Sequence, residues 1–109
     1  MSESPRVSIV TPSYQQAEFI EETIRSVLGQ DYPAIEYHIM DGGSTDGSVE
    51  IIRRHADRLA SWVSAPDAGQ TAAINAGWRK STGDILAYIN ADDWYAPGAV
   101  RAAVACFER

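Results

Sequence analysis

The chain has 109 residues, enough for one compact domain, and its 45% hydrophobic and 22% charged residues exclude a disordered tail or a fibrous repeat. The formal net charge is -6 and the nine Lys and Arg residues are scattered, which argues against a nucleic-acid partner. An anionic ligand would therefore need a metal ion, backbone amides or a local Arg to offset its charge.

Short apolar runs alternate with segments in which apolar residues recur at helical spacing. Strands are predicted over residues 7–10, 36–40, 59–64 and 85–89. Helices are predicted over residues 18–30, 46–55 and 70–81 and from Pro97 through Phe107. Ser44 or Thr45 is expected to cap the second helix. The first strand is expected to stop at Thr11.

This order of elements predicts an α/β domain over residues 1–109, with a parallel sheet between helices on both faces, a three-layer αβα arrangement. Ligands of such sheets bind outside the carboxyl ends of the strands. Polar clusters follow the four predicted strands at residues 11–14, 41–46, 66–70 and 90–93. All four should meet at one edge, which predicts a binding site there.

Asp92 and Asp93 follow the fourth predicted strand, with Asn90 nearby. Adjacent carboxylates repel each other unless a cation or several donors lie between them. Their hard oxygen atoms suit Mg²⁺ or Mn²⁺, whose remaining ligands are often waters and phosphate oxygens. The alternative is an Asp-rich turn or a helix cap ahead of Pro97.

Asp41 ends the second predicted strand, where nucleotide-binding α/β folds often place an acid that accepts hydrogen bonds from a ribose or base. Gly42 and Gly43 would let a flat base come close to the backbone. A role for Asp41 in forming the turn is equally open at this point.

Four segments in this order resemble the motifs of family 2 glycosyltransferases, which have the A-type, Rossmann-like nucleotide-sugar transferase fold. They are VSIVTPSYQQ (residues 7–16), MDGGSTDGS (40–48), PDAGQTAAINAGW (66–78) and GDILAYINADDWYAPGAV (83–100). Together they cover nearly the whole chain, and their order and spacing make the resemblance specific.

The resemblance implies roles for individual side chains. Nucleotide-sugar binding would involve Thr11, Pro12, Ser13, Tyr14, Asp41, Asp67, Gln70, Asn75 and Asp92. Asp93 would be the direct ligand of Mn²⁺ or Mg²⁺, and Asp92 would contact the ribose or act through water. Asp92 would also belong to the metal motif.

The chain departs from the family pattern in three places. Many members carry a second Asp where this chain has Gly42, and an Asp where it has Asn90, so the nucleotide identity and the metal affinity are open. In the family the acceptor site and a general base, usually an Asp, follow this part of the sheet. The chain is therefore expected to be the donor-binding half, with the base beyond Arg109.

By resemblance, the complete reaction would be an inverting transfer of a sugar, with a UDP-sugar as the favoured donor, to the hydroxyl of a glycan or lipid-linked acceptor in polysaccharide biosynthesis. A non-catalytic nucleotide-sugar-binding module is an alternative. A nucleotidyltransferase is less favoured, because the first strand is followed by Thr11, Pro12 and Ser13 and not by a Gly-rich basic loop.

Cys106 is the only cysteine, so an intramolecular disulfide is impossible and a reducing compartment is expected. The start of the chain has no secretion signal, and no apolar run reaches the roughly 18 residues needed to span a membrane. We expect a cytoplasmic location, with peripheral attachment to the inner membrane face left open. An exposed apolar sheet edge could also promote self-association.

Overall fold

A computed structural model describes residues 4–107. The strands are β1 (Val7–Ser13), β2 (Ile35–Asp41), β3 (Ser61–Ser64) and β4 (Ile85–Tyr88). The helices are α1 (Ile20–Leu28), α2 (Ser48–Arg54), α3 (Gln70–Lys80) and α4 (Ala99–Phe107), with a 3₁₀ turn at Ala56–Arg58. No helix within the described residues has the length and apolar character that crossing a membrane requires.

The four strands form one parallel sheet in the order β3-β2-β1-β4. From β1 the chain moves outward to β2 and β3, and then returns to place β4 on the other side of β1. The order of the strands therefore reverses between β1 and β4. In open α/β sheets, the crevice at such a reversal is the usual ligand site.

Successive residues of the central strands point to opposite faces of the sheet. On one face, Ile9 and Ile39 pack in a cluster with buried residues of α1, α2 and α4. On the other face, Val10 and Met40 pack with Ala73 of α3. The predicted three-layer arrangement is confirmed.

Gly77 allows α3 to lie directly on β1. A Cβ atom added at Gly77 would lie 2.6 Å from Cγ2 of Val10, closer than real Cβ contacts come. The sheet and α3 can therefore approach at this point only because the helix presents no side chain.

The prediction that the first strand stops at Thr11 was wrong, since β1 continues to Ser13 in register with β2. The proline in this extension costs the sheet no hydrogen bond. The carbonyl of Val10 accepts from Ile89 on the β4 side. Pro12 lies two residues later, so its nitrogen points to the same side, where β4 has already ended.

The prediction that Ser44 or Thr45 caps the second helix was also wrong. The helix α2 begins at Ser48, and its N-cap is Gly47 with a positive φ of 103°. The side chains of Ser44 and Thr45 instead bond to Asp41 and Gln15, in the loops that follow β1 and β2.

Candidate functional site

A cavity of about 640 Å³ lies at the carboxyl ends of the strands. It is lined by Pro12, Ser13, Tyr14, Gln16, Gly42, Pro66, Asp67, Gly69, Gln70, Ala73, Asn90, Ala91 and Asp92. These residues end or follow all four strands, so the prediction that the polar clusters meet at one edge of the sheet is confirmed. The cavity also lies at the reversal of strand order between β1 and β4.

The structure brings some of the predicted site residues to the cavity wall. They are Pro12, Ser13, Tyr14, Asp67, Gln70 and Asp92. Tyr14 is 61% exposed, so its ring is accessible to a ligand. Thr11, Asp41, Asn75 and Asp93 are not among the lining residues, and what each of them binds stays a prediction.

Thr11 and Asn75 have different surroundings. Thr11 is fully buried in β1, and its hydroxyl lies 2.7 Å from the hydroxyl of Tyr37. Burial raises the pKa of Tyr37, which keeps this phenol protonated and able to donate. Asn75 is exposed on α3, outside the lining of the cavity.

Asp41 is 1% exposed and joins the ends of three strands. Its carboxylate accepts five hydrogen bonds, from the hydroxyls of Ser13, Ser44 and Ser64 and from the backbone N–H groups of Gly43 and Ser44. Burial alone would raise the pKa of Asp41, but the bonds from Ser44, Ser64 and Ser13 outweigh it and hold the pKa below its ordinary value. The charged carboxylate therefore fixes the conformation of the loop that follows β2, at Gly43 and Ser44.

The loops after β1 and β2 are bonded to each other. Gln15, which has a positive φ of 54°, donates its N–H to the hydroxyl of Ser44 at 2.8 Å. Its side-chain oxygen accepts from the N–H of Thr45 at 2.7 Å. The N–H of Ala17 donates to Asp46 at 3.0 Å. These bonds therefore fix the two loops, after β1 and after β2, that form this side of the cavity.

Asp92 and Asp93 are both exposed at the loop after β4. Neither carboxylate accepts a hydrogen bond from the residues that the structure describes, so both are free to bind a cation. Between residues 4 and 107 no three Asp, Glu, His or Cys side chains converge on a common metal position. The two free carboxylates fit Mg²⁺ or Mn²⁺ if waters and phosphate oxygens complete the coordination.

The charge of the cavity wall bears on which ligand could enter. Asp67 and Asp92 are the charged residues that line it, and none of the lining residues is Lys or Arg. Gly69 and Gln70, at the N-terminal end of α3, also line the cavity, and α3 has no side-chain cap. A diphosphate here would meet the positive end of a helix but would still need a cation to offset its charge.

Two contacts of the wall were not predicted. Gln70 donates its side-chain N–H to Oδ1 of Asn90 at 2.6 Å. This bond connects α3 to the loop between β4 and α4, residues 89–98, which carries Asp92 and Asp93 and is called the acidic loop below. A Cβ atom at Gly42 would lie 3.1 Å from both carboxylate oxygens of Asp67. Asp67 thus lies against the position where many family members carry a second Asp. The sequence had indicated Gly42 as a place where a base could approach and Asn90 as a neighbour of the acidic pair, but it gave no sign of their contacts with Asp67 and Gln70.

Residues 8–109 match the profile of the family described as Glycosyl transferase family 2. The chain belongs to this family. The resemblance of its four motifs is thus confirmed, and the α/β fold agrees with that of solved family 2 enzymes.

Several relatives of this family 2 chain carry glycosyltransferase names. It is 31% identical over 106 residues to an uncharacterized glycosyltransferase of Nostoc sp., a match that covers 94% of this chain and 33% of that protein. It is 37% identical over 93 residues to the glycosyltransferase AglE of Haloferax volcanii, covering 81% of this chain and 31% of AglE. The family 2 chain therefore spans about a third of the length of these relatives.

Solved structures have the same fold. The mannosyltransferase PcManGT of Pyrobaculum calidifontis, solved with GDP-Man and Mn²⁺, has a TM-score of 0.85 at 33% identity, covering 94% of this family 2 chain and 32% of that chain. TarS of S. aureus, solved with UDP-GlcNAc, has a TM-score of 0.84 at 21% identity, covering 94% and 31%. The likeness to TarS concerns the fold alone.

Proposed function

We propose that this chain is the donor-binding part of an inverting, metal-assisted glycosyltransferase. It would bind a nucleoside diphosphate sugar for transfer to an acceptor hydroxyl. The observation that supports the proposal is the cavity at the strand ends, which is lined by the free carboxylate of Asp92, with that of Asp93 next to it in the chain, and by no Lys or Arg among the described residues. A diphosphate is the anionic group that such a wall accepts together with a divalent cation.

The nucleoside would occupy the side of the cavity formed by the loops after β1, β2 and β3. Pro12 and the exposed ring of Tyr14 offer apolar surface to a base. Gly42 has no side chain, which lets the carboxylate of Asp67 lie close to the backbone there, and that carboxylate offers its oxygens to the N–H groups of the base or to the ribose. The fully bonded carboxylate of Asp41 would act on the nucleoside through the loop that it shapes, with Ser13 and Ser44 as intermediaries.

The diphosphate would lie between the N-terminal end of α3 and the acidic loop. We assign Asp93 as the direct ligand of Mn²⁺ or Mg²⁺, and Asp92 to the ribose or to a water-mediated contact. A cation held there would neutralise the charge that develops on the departing diphosphate. Gln70 and Asn90, which are bonded to each other, would keep the two sides of this region at a fixed separation.

UDP stays our first choice of nucleotide, and GDP is the competing choice, because the 33% identical PcManGT was solved with GDP-Man and Mn²⁺. The acceptor would be a glycan or a lipid-linked sugar in polysaccharide biosynthesis, used on the cytoplasmic side and in part at the inner membrane face. We place the general base beyond Arg109. The 109-residue chain should therefore bind donor and transfer sugar weakly or not at all.

Calorimetric titration with UDP and with GDP, each with and without Mn²⁺, tests the proposal. The wild type should bind one nucleotide more tightly with Mn²⁺, and Asp93→Ala should weaken that binding by roughly tenfold or more. Asp57→Ala is the matched control, because Asp57 is exposed on the 3₁₀ turn outside the lining of the cavity. A folded wild type that binds neither nucleotide, with or without Mn²⁺, would refute the proposal.

A further inference from the structure

Three polar side chains on and just after α1 form a row that faces the loop between β4 and α4. Thr23 and Ser26 belong to α1, and Gln30 lies two residues beyond its end. Residues three and four apart on a helix are neighbours on its surface, which places Thr23 and Ser26 side by side. Gln30 continues the row, since its side-chain N–H donates to the carbonyl of Ser26 at 3.1 Å.

The first two members bond to the backbone of the acidic loop. The hydroxyl of Thr23, which is fully buried, donates to the carbonyl of Asp93. The hydroxyl of Ser26 accepts from the N–H of Tyr95 at 3.0 Å and donates to the carbonyl of Thr23 at 2.8 Å. Ser26 therefore bonds to the loop and to the neighbouring member of the row at the same time.

Gln30 bonds to the end of the acidic loop and to the start of α4. Its side-chain N–H donates to the carbonyl of Ala96 at 2.9 Å, and its side-chain oxygen accepts from the N–H of Val100 at 3.0 Å. Val100 lies in the first turn of α4, where N–H groups have no partner within the helix. Gln30 thus ties the entrance of α4 to α1.

These bonds matter because the acidic loop lacks the regular backbone hydrogen bonds of a helix or a sheet. No regular element lies between Tyr88, the end of β4, and Ala99, the start of α4. Backbone polar groups in such a segment need partners from elsewhere. The row supplies partners for three loop groups, the carbonyls of Asp93 and Ala96 and the N–H of Tyr95, and for the N–H of Val100 at the start of α4. Meanwhile the carboxylates of Asp92 and Asp93 are exposed and accept no hydrogen bond from any described residue.

We propose that Thr23, Ser26 and Gln30 are positioning residues for the acidic pair, an inference that rests on the proposed function. They fix the backbone of the segment that contains Asp92 and Asp93, so that the two carboxylates face the diphosphate and its cation. None of the three lines the cavity, so they act through the loop and do not touch the donor.

Three variants remove these contacts. Thr23→Val, which keeps the shape of the side chain, and Ser26→Ala remove one each, and Gln30→Leu removes the bonds to Ala96 and Val100. Thr23→Ser keeps the hydroxyl and should restore wild-type behaviour. Ser81→Ala is the matched control, because the hydroxyl of Ser81 bonds to the carbonyl of Gly77 at the end of α3. Circular dichroism and unfolding midpoints identify any variant that does not fold.

The first measurement uses the unliganded chain. Amide hydrogen exchange at Tyr95 should speed up about tenfold in Ser26→Ala, and at Val100 by a similar factor in Gln30→Leu, because each amide loses its acceptor. The Ser81→Ala control should leave both rates unchanged. Unchanged exchange at both amides in the folded variants would overturn the proposal.

The second measurement is the ratio of the Kd for UDP or GDP without Mn²⁺ to the Kd with Mn²⁺. The ratio should fall by about 3- to 10-fold in the three variants, while the Kd without Mn²⁺ stays at the wild-type value. A purely structural role would lower the unfolding midpoint and leave the ratio unchanged, which would overturn the proposal. A wild type that binds no nucleotide would instead refute the proposed function, and the positioning role with it.

Discussion

Ser13 donates its hydroxyl hydrogen to Oδ1 of Asp41 at 2.9 Å, which joins the last residues of the two central strands. Both side chains are buried, and Asp41 accepts four further bonds from the loop after β2 and from the end of β3. A single carboxylate thus sets the relative positions of three strand ends beside the cavity.

Asp41→Asn should lower the free energy of unfolding at pH 7 by about 2–3 kcal/mol, because an amide cannot accept from all five donors and a buried bond to a charged group is lost. Urea unfolding followed by circular dichroism measures this. The folded pKa of Asp41 is lowered, so its stabilisation is present above the ordinary value of 3.8 and lost as the pH falls below it. If Asp41→Asn were as stable as the wild type at pH 7, the charged carboxylate of Asp41 would not be what stabilises the strand ends.

Glu36 makes the opposite end of the sheet sensitive to acid. Its carboxylate accepts from the hydroxyl of Ser8 at 2.6 Å and from the N–H and hydroxyl of Thr82 at 2.9 and 2.8 Å. Nε2 of His38 lies 3.2 Å away. Burial alone would raise the pKa of Glu36, but these partners lower it from 4.5 to about 2.

Because the folded pKa of Glu36 is the lower one, its stabilisation is complete above pH 4.5 and disappears as the pH falls toward 2. We expect the wild type to lose on the order of 3 kcal/mol over this range from Glu36, and Glu36→Gln to lack that part of the slope. Glu50→Gln, at an exposed position of α2, is the control. Parallel stability curves for the wild type and Glu36→Gln would disprove the prediction.

Gly42→Asp should weaken binding of the nucleoside diphosphate by about tenfold or more, because the new carboxylate would lie against Asp67 and repel it. Gly42→Ala should have a smaller effect, since the tip of the Asp67 side chain can move aside. The double variant Gly42→Asp with Asp67→Gly moves the acid to the neighbouring strand end and should recover part of the affinity. Titration of the wild type, Gly42→Asp, Asp67→Gly and the double variant completes the cycle, and additive losses would rule out coupling between the two positions.

Local patterns in the sequence were sufficient to predict the alternation of strands and helices, the parallel sheet and the edge that carries the cavity. Each depends on residues close together in the chain, such as the β-branched run before Thr11 or the Gly pair after Asp41. The boundaries differ from the prediction mainly where hydrogen bonding decided them. Pairing with β2 extends β1 to Ser13, and side-chain bonds delay the start of α2 to Ser48.

The partners of individual side chains could not be predicted in this way. Thr23 and Asp93 are 70 residues apart, so no periodicity or spacing links them. The same holds for Gln30 and Val100. Asp41 was recognised as important at a strand end, but its five donors come from three separate segments. The choice between binding a ligand and shaping a turn therefore depended on tertiary contacts.

The outer strand β4 should drive self-association of the 109-residue chain. Among the described strands it pairs only with β1, and Leu86 and Tyr88 are 49% and 48% exposed. Unpaired strand edges with apolar side chains promote association. Sedimentation should find dimers or larger species, and Leu86→Lys should shift them toward monomer, whereas Phe19→Lys, at an exposed site on the α1 side, should not. A monomeric wild type at all concentrations would contradict this.

Asn90→Asp tests whether the departure from the family motif sets the metal affinity. An Asp at this position keeps an oxygen acceptor for the side-chain N–H of Gln70, which now donates to Asn90 at 2.6 Å. It also adds a third negative charge beside Asp92 and Asp93, so Mn²⁺ should bind several-fold more tightly. The binding of Mn²⁺ to the unliganded chain, followed by electron paramagnetic resonance, measures the change.

Ala60→Asp is the matched control for this variant. It adds one carboxylate at an exposed position just before β3, at the opposite end of the sheet from the cavity. Both variants change the net charge equally, so a general electrostatic effect would raise Mn²⁺ affinity in both. A gain confined to Asn90→Asp would place the cation at the acidic loop, because exposed charges farther apart than the Debye length, roughly 8–10 Å, are largely screened in salt solution. Equal gains in Mn²⁺ affinity in the two variants would rule out the acidic loop as the metal site.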